Sequence, residues 1–283
     1  MSSILIRRAN MVSGGSGPVP IDYSTRYLTF EAVEAGTFSF SIPSGITTTV
    51  TSVSYSLDNG STWVTTQNDS SDIVITTPTV QAGGKVLWKG MATKYATSTS
   101  VYSNFASTGN FVVNGNIMSL LYGDEFATKK SLNSATYAFD GLFRSCTKLS
   151  SANNLILPST TLTNSCYNSM FRDCSLLSEA PELPATTMAQ SCYQYMFAGC
   201  TALTTAPELP GTTLKAYSYQ NMFDGCSALN YIKCLASDIS ATRCTNLWVR
   251  DVAATGTFVK PASMSSWTTG TSGIPSGWTV VDA

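Results

Sequence analysis

The sequence contains no histidine, and only 12% of its residues are charged. Without imidazole the chain cannot form Ser-His-Asp or Cys-His nucleophile systems, His-ligated zinc sites or imidazole acid–base pairs. The 16 basic and 17 acidic residues nearly cancel and form no basic run, which excludes nucleic-acid binding driven by counterion release. No apolar run is long enough to span a bilayer, so membrane insertion is not expected.

Hydroxyl side chains take the place of the missing charges. The chain holds 39 Ser and 38 Thr among its 283 residues. This composition favours β-strands with hydroxylated outer faces over the charged helices of many cytosolic enzymes. We therefore expect a mainly β protein.

The amino-terminal segment lacks the pattern of a secretory signal, which needs positive charge first and then an apolar core of about seven residues or more. Here three apolar residues precede two arginines, in the order Ile4, Leu5, Ile6, Arg7 and Arg8. A linker rich in Gly, Ser and Pro follows up to residue 20. We interpret residues 1–20 as an anchoring peptide that orders on a partner, with a disordered tail as the alternative.

Residues 21–115 show short alternating runs separated by turn residues, which is the pattern of half-buried strands. The predicted strands begin at Tyr27, Thr37, Val50, Asp72, Lys85 and Asn110. Six or seven strands at this spacing predict an immunoglobulin-like β-sandwich.

One hairpin of this domain matches the Asp-box pattern Ser-x-Asp-x-Gly-x-x-Trp, from Ser56 to Trp63. In such a hairpin Asp58 accepts hydrogen bonds from turn amides, Gly60 adopts a positive φ and Trp63 packs back on the next strand. Asp boxes recur in sialidases, so a glycosidase is an alternative. Because the chain has one box and seven arginines, we interpret the box as structural.

Residues 116–250 contain an internal repeat. Its clearest markers are Leu142-Phe-Arg-Ser-Cys146, Met170-Phe-Arg-Asp-Cys174, Met196-Phe-Ala-Gly-Cys200 and Met222-Phe-Asp-Gly-Cys226, spaced by 28, 26 and 26 residues. Such a period is typical of a solenoid whose units bury their apolar faces on one another. The phenylalanines Phe143, Phe171, Phe197 and Phe223 and the cysteines Cys146, Cys174, Cys200 and Cys226 then form two structural columns.

Each unit is predicted to contain a short strand and a short helix. Before the third marker cysteine, Cys192, Tyr193, Met196, Phe197 and Cys200 lie at offsets 0, 1, 4, 5 and 8. This spacing lines one face of a helix, and Gly199 stands where that helix would end. Cys166, Cys192 and Cys244 form a second cysteine column. The cysteines of both columns are interpreted as buried fillers rather than disulfides or metal ligands, and Cys234 lies outside both columns.

The run from Tyr195 to Pro210 resembles the BspA-type leucine-rich repeat, with its aromatic pair, Gly-Cys, spaced leucines and terminal proline. The resemblance covers about residues 130–250, and the chain as a whole is similar to proteins of Bacteroidetes bacteria and of their phages. It implies a leucine-rich-repeat solenoid that serves adhesion and surface display, with no catalysis. Residues 251–283, with Trp267 and Trp278, are expected to cap the last unit.

The strand region of the repeats supplies the candidate ligand-binding face. Glu182 and Glu208 occupy equivalent positions, with Asn154 before them and Cys234 after them. The other members of the candidate face are Ser178, Glu179, Thr204 and Thr205. Two carboxylates across a cleft would also suit a glycosidase. Nothing else of such a site is visible, so we expect no catalytic residues, metal or cofactor.

These patterns predict a virion structural protein of the head-fibre, decoration or tail-associated kind. Its amino terminus would bind other virion proteins, and its repeat domain would bind a glycan or protein on host or mucosal surfaces. Assembly in the host cytoplasm would explain the absent signal peptide, and a homo-oligomer is expected. A bacterial cell-surface adhesin is the alternative, and a carbohydrate-active enzyme is a remote one.

Overall fold

The computed structural model describes residues 22–46, 48–67 and 71–283. Its strands are β1 (Leu28–Ala32), β2 (Phe38–Ile42), β3 (Val50–Ser56), β4 (Val64–Gln67), β5 (Ile73–Thr76), β6 (Lys85–Ala92), β7 (Ala96–Ser98), β8 (Val101–Tyr102), β9 (Asn104–Ser107), β10 (Phe111–Asn116), β11 (Leu149–Ile156), β12 (Tyr231–Lys233), β13 (Thr257–Lys260) and β14 (Thr279–Asp282). The helices are α1 (Ser119–Tyr122) and three 3₁₀ segments, Tyr23–Thr25, Ser44–Ile46 and Gly123–Thr128. The mainly β character predicted from composition is confirmed.

The first part of the chain forms two packed sheets. One has the strand order β11-β10-β1-β6-β3-β4, and the other has the order β5-β2-β9. Aromatic side chains fill the space between them, with the Phe30 ring 5.5 Å from Phe38 and 4.8 Å from Phe105. The six predicted strands are present, because alternation marked their buried residues; β4 and β7–β9 were not predicted.

A continuous sheet joins this sandwich to the repeat region. Strand β10 runs antiparallel to β1 on one side and parallel to β11, the first strand of the repeats, on the other. The backbones approach closely at this point: a Cβ at Gly115, where φ is +85°, would lie 2.0 Å from the carbonyl oxygen of Tyr27. Only glycine fits there. The sandwich therefore covers the first coil directly.

The repeats form stacked coils, but the predicted short helices are wrong. Residues 129–283, all of them described, contain no helix. In their place each coil has consecutive four-residue turns, and every fourth residue has a positive φ. These residues are Tyr137, Gly141, Ser145, Ser165, Ser169, Asp173, Ser191, Tyr195, Gly199, Tyr217, Asn221, Gly225, Arg243, Leu247 and Asp251.

The backbone hydrogen bonds explain why turns replace the helices. The amides of Tyr193, Tyr195 and Phe197 donate to carbonyl oxygens of the next coil, at 2.9 to 3.1 Å. The amides between them donate within the coil, for example Met196 to Tyr193 at 3.1 Å. In a helix, all of these amides would donate to carbonyl oxygens of their own coil, and none would link it to the next coil. The pair of adjacent side chains that points into the core recurs every four residues, so over nine residues its spacing resembles the buried face of a helix.

The stack interior consists of aligned rings and thiols. Successive Phe rings from Phe143 to Phe223 lie 5.4 to 5.7 Å apart and within 3° of parallel. Phe105 of the sandwich extends this column, 5.5 Å from Phe143. All eight cysteines are buried free thiols. Cys174, Cys200 and Cys226 each donate to a carbonyl oxygen of the preceding coil, at 3.0 to 3.1 Å.

A column of side-chain amides runs beside the aromatic rings. Asn168 donates to Gln194, Gln194 to Gln220 and Gln220 to Asn246, at 3.3, 2.6 and 3.2 Å. Asp140 holds the equivalent position in the first coil and is 1% exposed. Its burial raises the pKa of the carboxyl to about 8, although Arg144 opposes the shift. The four amides from Asn168 to Asn246 thus link successive coils; Asn168 is buried, and the other three are half-buried.

The stack continues through the last residues of the chain. Strands β12, β13 and β14 pair in parallel, so residues 257–282 add two further levels to it. Trp248 and Trp267 are stacked with ring centroids 5.5 Å apart. The indole nitrogen of Trp278 donates to the carbonyl oxygen of Ala253 at 2.7 Å. These tryptophans lie in the core, as the sequence led us to expect.

Candidate functional site

The expected ligand-binding face lies on the outer side of the parallel strand column. Its six predicted members, Ser178, Glu179, Glu182, Thr204, Thr205 and Glu208, are all exposed. Bridges pair Ser151 with Glu179 and Thr205 with Tyr231. Glu179 and Thr205 are equivalent positions one 26-residue repeat apart, so the repeat alignment puts the two bridged pairs in one outward column across four coils.

Hydrogen bonds fix the first coils of this face. The Ser151 hydroxyl donates to the Glu179 carboxylate at 2.6 Å. The Ser178 hydroxyl donates to the carbonyl oxygen of Ser150 at 3.1 Å. Side chains held by neighbours lose less entropy when a ligand binds. The face is thus an ordered surface of hydroxyls and carboxylates.

The expected alignment of Glu208 with Cys234 is wrong by one residue. Leu209 pairs with Cys234, so Lys233 lies beside Glu208 and its ammonium is 2.9 Å from the carboxylate. Cys234 is fully buried and takes the place that the aligned leucines fill in earlier coils, while Leu235 is half-buried. The ion pair leaves Glu208 a neutralised surface group rather than one of two carboxylates across a cleft.

The Asp box folds as a tight hairpin. The Asp58 carboxylate accepts from the Thr62 hydroxyl at 2.7 Å, from the Thr62 amide at 2.8 Å and from Ser56 at 2.8 Å. The bonds from Thr62, and then that from Ser56, lower the pKa of Asp58 to about 2. Gly60 has φ +90°. Trp63 packs against Tyr27 at 5.0 Å and beneath the Lys89 ammonium at 4.2 Å.

A pocket of about 280 Å³ lies beside this hairpin, on the outer face of the larger sheet. Its floor is a row across three strands, because Thr29 of β1 pairs with Asn114 of β10 and with Leu87 of β6. The next row contributes Glu31 and Lys85. The walls come from the 3₁₀ segment and from the hairpin tip, through Tyr23, Thr25, Arg26, Tyr27 and Asn59. We call this set the sandwich pocket.

Four polar side chains of the sandwich pocket have no hydrogen-bond or ion-pair partner within the described residues, namely Tyr23, Arg26, Asn59 and Asn114. Asn114 is 8% exposed, yet its carboxamide makes no hydrogen bond there. The Arg26 guanidinium has neither a hydrogen bond nor an ion pair in the same part of the chain. By contrast, Lys85 lies 3.3 Å from Glu31. The Asn114 carboxamide is open to the pocket rather than enclosed by protein, so a ligand in the pocket could form hydrogen bonds with it.

Sequence reasoning missed the sandwich pocket because its residues come from distant segments. Asn114, Thr29 and Leu87 meet only through strand register, which one sequence does not show. The outward residues of the alternating runs were the available signal, since Thr29 and Glu31 are polar positions of one strand. The predicted anchor, Ile4 to Arg8, lies outside the described residues.

Comparison with family models, curated proteins and solved structures finds no match for this chain. Among the described residues, no helix has the length and apolar character needed to cross a bilayer. The same residues contain no group of three or more Cys, Asp or Glu side chains placed to hold a metal ion.

Proposed function

We propose that the chain is a non-catalytic adhesion protein displayed on a virion surface. In this proposal residues 1–20 bind other virion proteins, the sandwich is an immunoglobulin-like spacer, and the coils are a BspA-type leucine-rich-repeat module. The coils contact a glycan or protein on host or mucosal surfaces, and several copies associate on the particle.

The observation that carries the proposal is the outward column Ser151, Glu179, Thr205 and Tyr231. It offers hydroxyls, a carboxylate and an aromatic ring on consecutive coils, at the strand spacing of about 4.8 Å. Aromatic and hydroxyl side chains are common in adhesive surfaces because they combine contact area with hydrogen bonding. The hydrogen bonds between coils make this surface rigid, which reduces the entropy lost on binding.

One ion pair and one hydrogen bond of the face also favour binding over catalysis. General acid–base chemistry on a glycoside needs two carboxyl groups facing a common bond. Glu208, one of the two glutamates of the candidate pair, forms an ion pair with Lys233, and the neighbouring Glu179 accepts a hydrogen bond from Ser151. The carboxylates of Glu208 and Glu179 therefore bind groups of the surface itself.

Adhesion is tested with the full chain and intact host cells. Thr205→Arg places a long cation in the centre of the column, and we expect cell binding to fall at least about tenfold. Thr242→Arg is the matched control, because Thr242 is exposed on the turn side of the stack. Equal binding by wild type, Thr205→Arg and Glu179→Lys would refute the assignment of this face.

Location on the particle is tested by mass spectrometry of purified virions. We expect peptides of this chain at a stoichiometry comparable with other surface proteins. Recovery of the chain only in the cell-envelope fraction of uninfected bacteria would overturn the virion proposal and leave the adhesive face to be judged separately.

A further inference from the structure

We propose that the sandwich pocket binds a sugar unit that carries one carboxylate, such as a hexuronic acid residue of an acidic glycan. This site is distinct from the strand column of the coils, and its existence does not depend on the function proposed above.

The net charge of the sandwich pocket sets the charge of its ligand. Lys85 and Glu31 lie 3.3 Å apart and neutralise each other. Arg26 is then the uncompensated charge among the lining residues, since the remaining ones are neutral. Tyr27 stays protonated, because burial and its hydrogen bond to Asp124 raise the pKa of the phenol to about 12. One guanidinium fits one carboxylate, which it can hold through two parallel hydrogen bonds.

The neutral groups of the sandwich pocket match the hydroxyls of a sugar. The Asn114 carboxamide offers two donors and an acceptor with no protein partner, and the Asn59 carboxamide at the hairpin tip lines the same pocket. Thr25 and Glu31 add a hydroxyl and a carboxylate. Amides that donate and accept, together with a hydroxyl and an accepting carboxylate, suit the hydroxyl groups of a polyol. A phosphate would leave the acceptors without a partner.

An apolar surface at the floor suits the carbon face of a sugar ring. Leu87 belongs to the same row as Asn114 and is half-buried. The Tyr27 ring is held between Trp63 at 5.0 Å and Phe126 at 4.9 Å, and its hydroxyl donates to Asp124 at 2.7 Å. These contacts fix the ring before a ligand arrives.

The size of the sandwich pocket limits the ligand to a small unit. Its volume of about 280 Å³ is near the lower end of ligand pockets, roughly 300 Å³. The Asp box acquires a role here, because Ser56 pairs with Leu87 and its hydroxyl holds both Gly60 and Asp58. The box thereby holds the hairpin tip, with Asn59, at the pocket wall.

The test titrates the full chain with glucuronate and galacturonate, followed by NMR, and repeats the titration with glucose, galactose and inorganic phosphate. We expect saturable binding of at least one hexuronate, with its neutral parent sugar about tenfold weaker. Arg26→Gln should abolish that preference, while Arg243→Gln, an exposed arginine in the coils, should leave it unchanged. Asn114→Ala should weaken both sugars alike.

Several outcomes would overturn the proposal. These are no saturable hexuronate binding by wild type, an unchanged preference in Arg26→Gln, or phosphate binding as tightly as the hexuronates. Because Asn114 is nearly buried, its variant is also followed by thermal unfolding. Should it fail to fold, the exposed Arg26→Gln variant still decides the question. Wild-type protein that adheres to cells but binds no hexuronate would refute the pocket proposal and leave the adhesion proposal standing.

Discussion

Tyr195 offers a direct test of whether the coils contain turns or helices. It lies in the middle of the segment whose spacing predicted a helix, yet its φ is +56°. Glycine adopts this left-handed conformation freely, whereas a residue with a Cβ is strained there by roughly 1–2 kcal/mol. In a helix the order is reversed, because glycine is about 1 kcal/mol worse than alanine.

The informative comparison is between Tyr195→Gly and Tyr195→Ala. Both variants lose the same ring contact, 5.0 Å from the Arg172 guanidinium, so its contribution cancels. We expect Tyr195→Gly to have the larger free energy of unfolding, by about 1 kcal/mol after allowing for the greater entropy of glycine in the unfolded chain. A helical segment would give about 1 kcal/mol in the opposite direction.

Urea unfolding at equilibrium measures this difference, provided that the two variants share the same dependence on denaturant. Ala198→Gly is the control, because Ala198 lies three residues away and is not among the positive-φ positions. At position 198, glycine should lower the free energy of unfolding by roughly 0.5–1 kcal/mol relative to alanine. If alanine proves more stable than glycine at both positions, the turn assignment is refuted.

Three further predictions concern titratable groups. The pKa of Asp140 is raised to about 8, so between about pH 4 and pH 8 the folded chain binds one proton more than the unfolded chain. The free energy of unfolding should therefore fall as pH rises from about 4 to 8, and Asp140→Asn should flatten this dependence in thermal unfolding. The pKa of Asp58 is lowered to about 2, so its contribution is present above pH 4 and is lost as pH falls through 2; Asp58→Asn should speed amide exchange in the hairpin already at pH 6, and unchanged exchange would contradict the hydrogen bonds described. Burial raises the pKa of four thiols, those of Cys146, Cys192, Cys226 and Cys234, to about 12. A thiol reagent at pH 8 should therefore label none of these four cysteines until denaturant is added. Rapid labelling of the native protein would show that the stack opens.

The sequence allowed the strands of the sandwich and the columns of the stack to be predicted, because both depend on local periodicity. Phe30 and Phe40 alternate with polar residues, and Phe171 and Phe197 recur at a fixed interval. The turns were mistaken for helices because periods of 3.6 and 4 residues place the same side chains inward over two turns. Only the sign of φ at Ser191 and Tyr195 separates the two, and composition does not reveal it.

Long-range register accounts for what the sequence did not show. The position of Cys234 was missed because the alignment assumed a constant spacing of 26 residues. The structure pairs Thr205 with Tyr231 at that spacing but Leu209 with Cys234 at 25, so the register shifts by one residue between the two bridges. The amide column from Asn168 to Asn246 had a visible signal in the repeat alignment. It was overlooked because amides at a buried position become favourable only when the neighbouring coil supplies the partner.

The hydrogen bonds between coils make the coils structurally equivalent to one another. Every coil offers donors to the one that follows and acceptors to the one before, and its ring and thiol columns continue through both neighbours. Duplication or removal of one 26-residue unit would therefore change the length of the rod by one strand spacing, about 4.8 Å, and leave both terminal surfaces intact. The reach of this protein can be adjusted in fixed steps without redesigning its core.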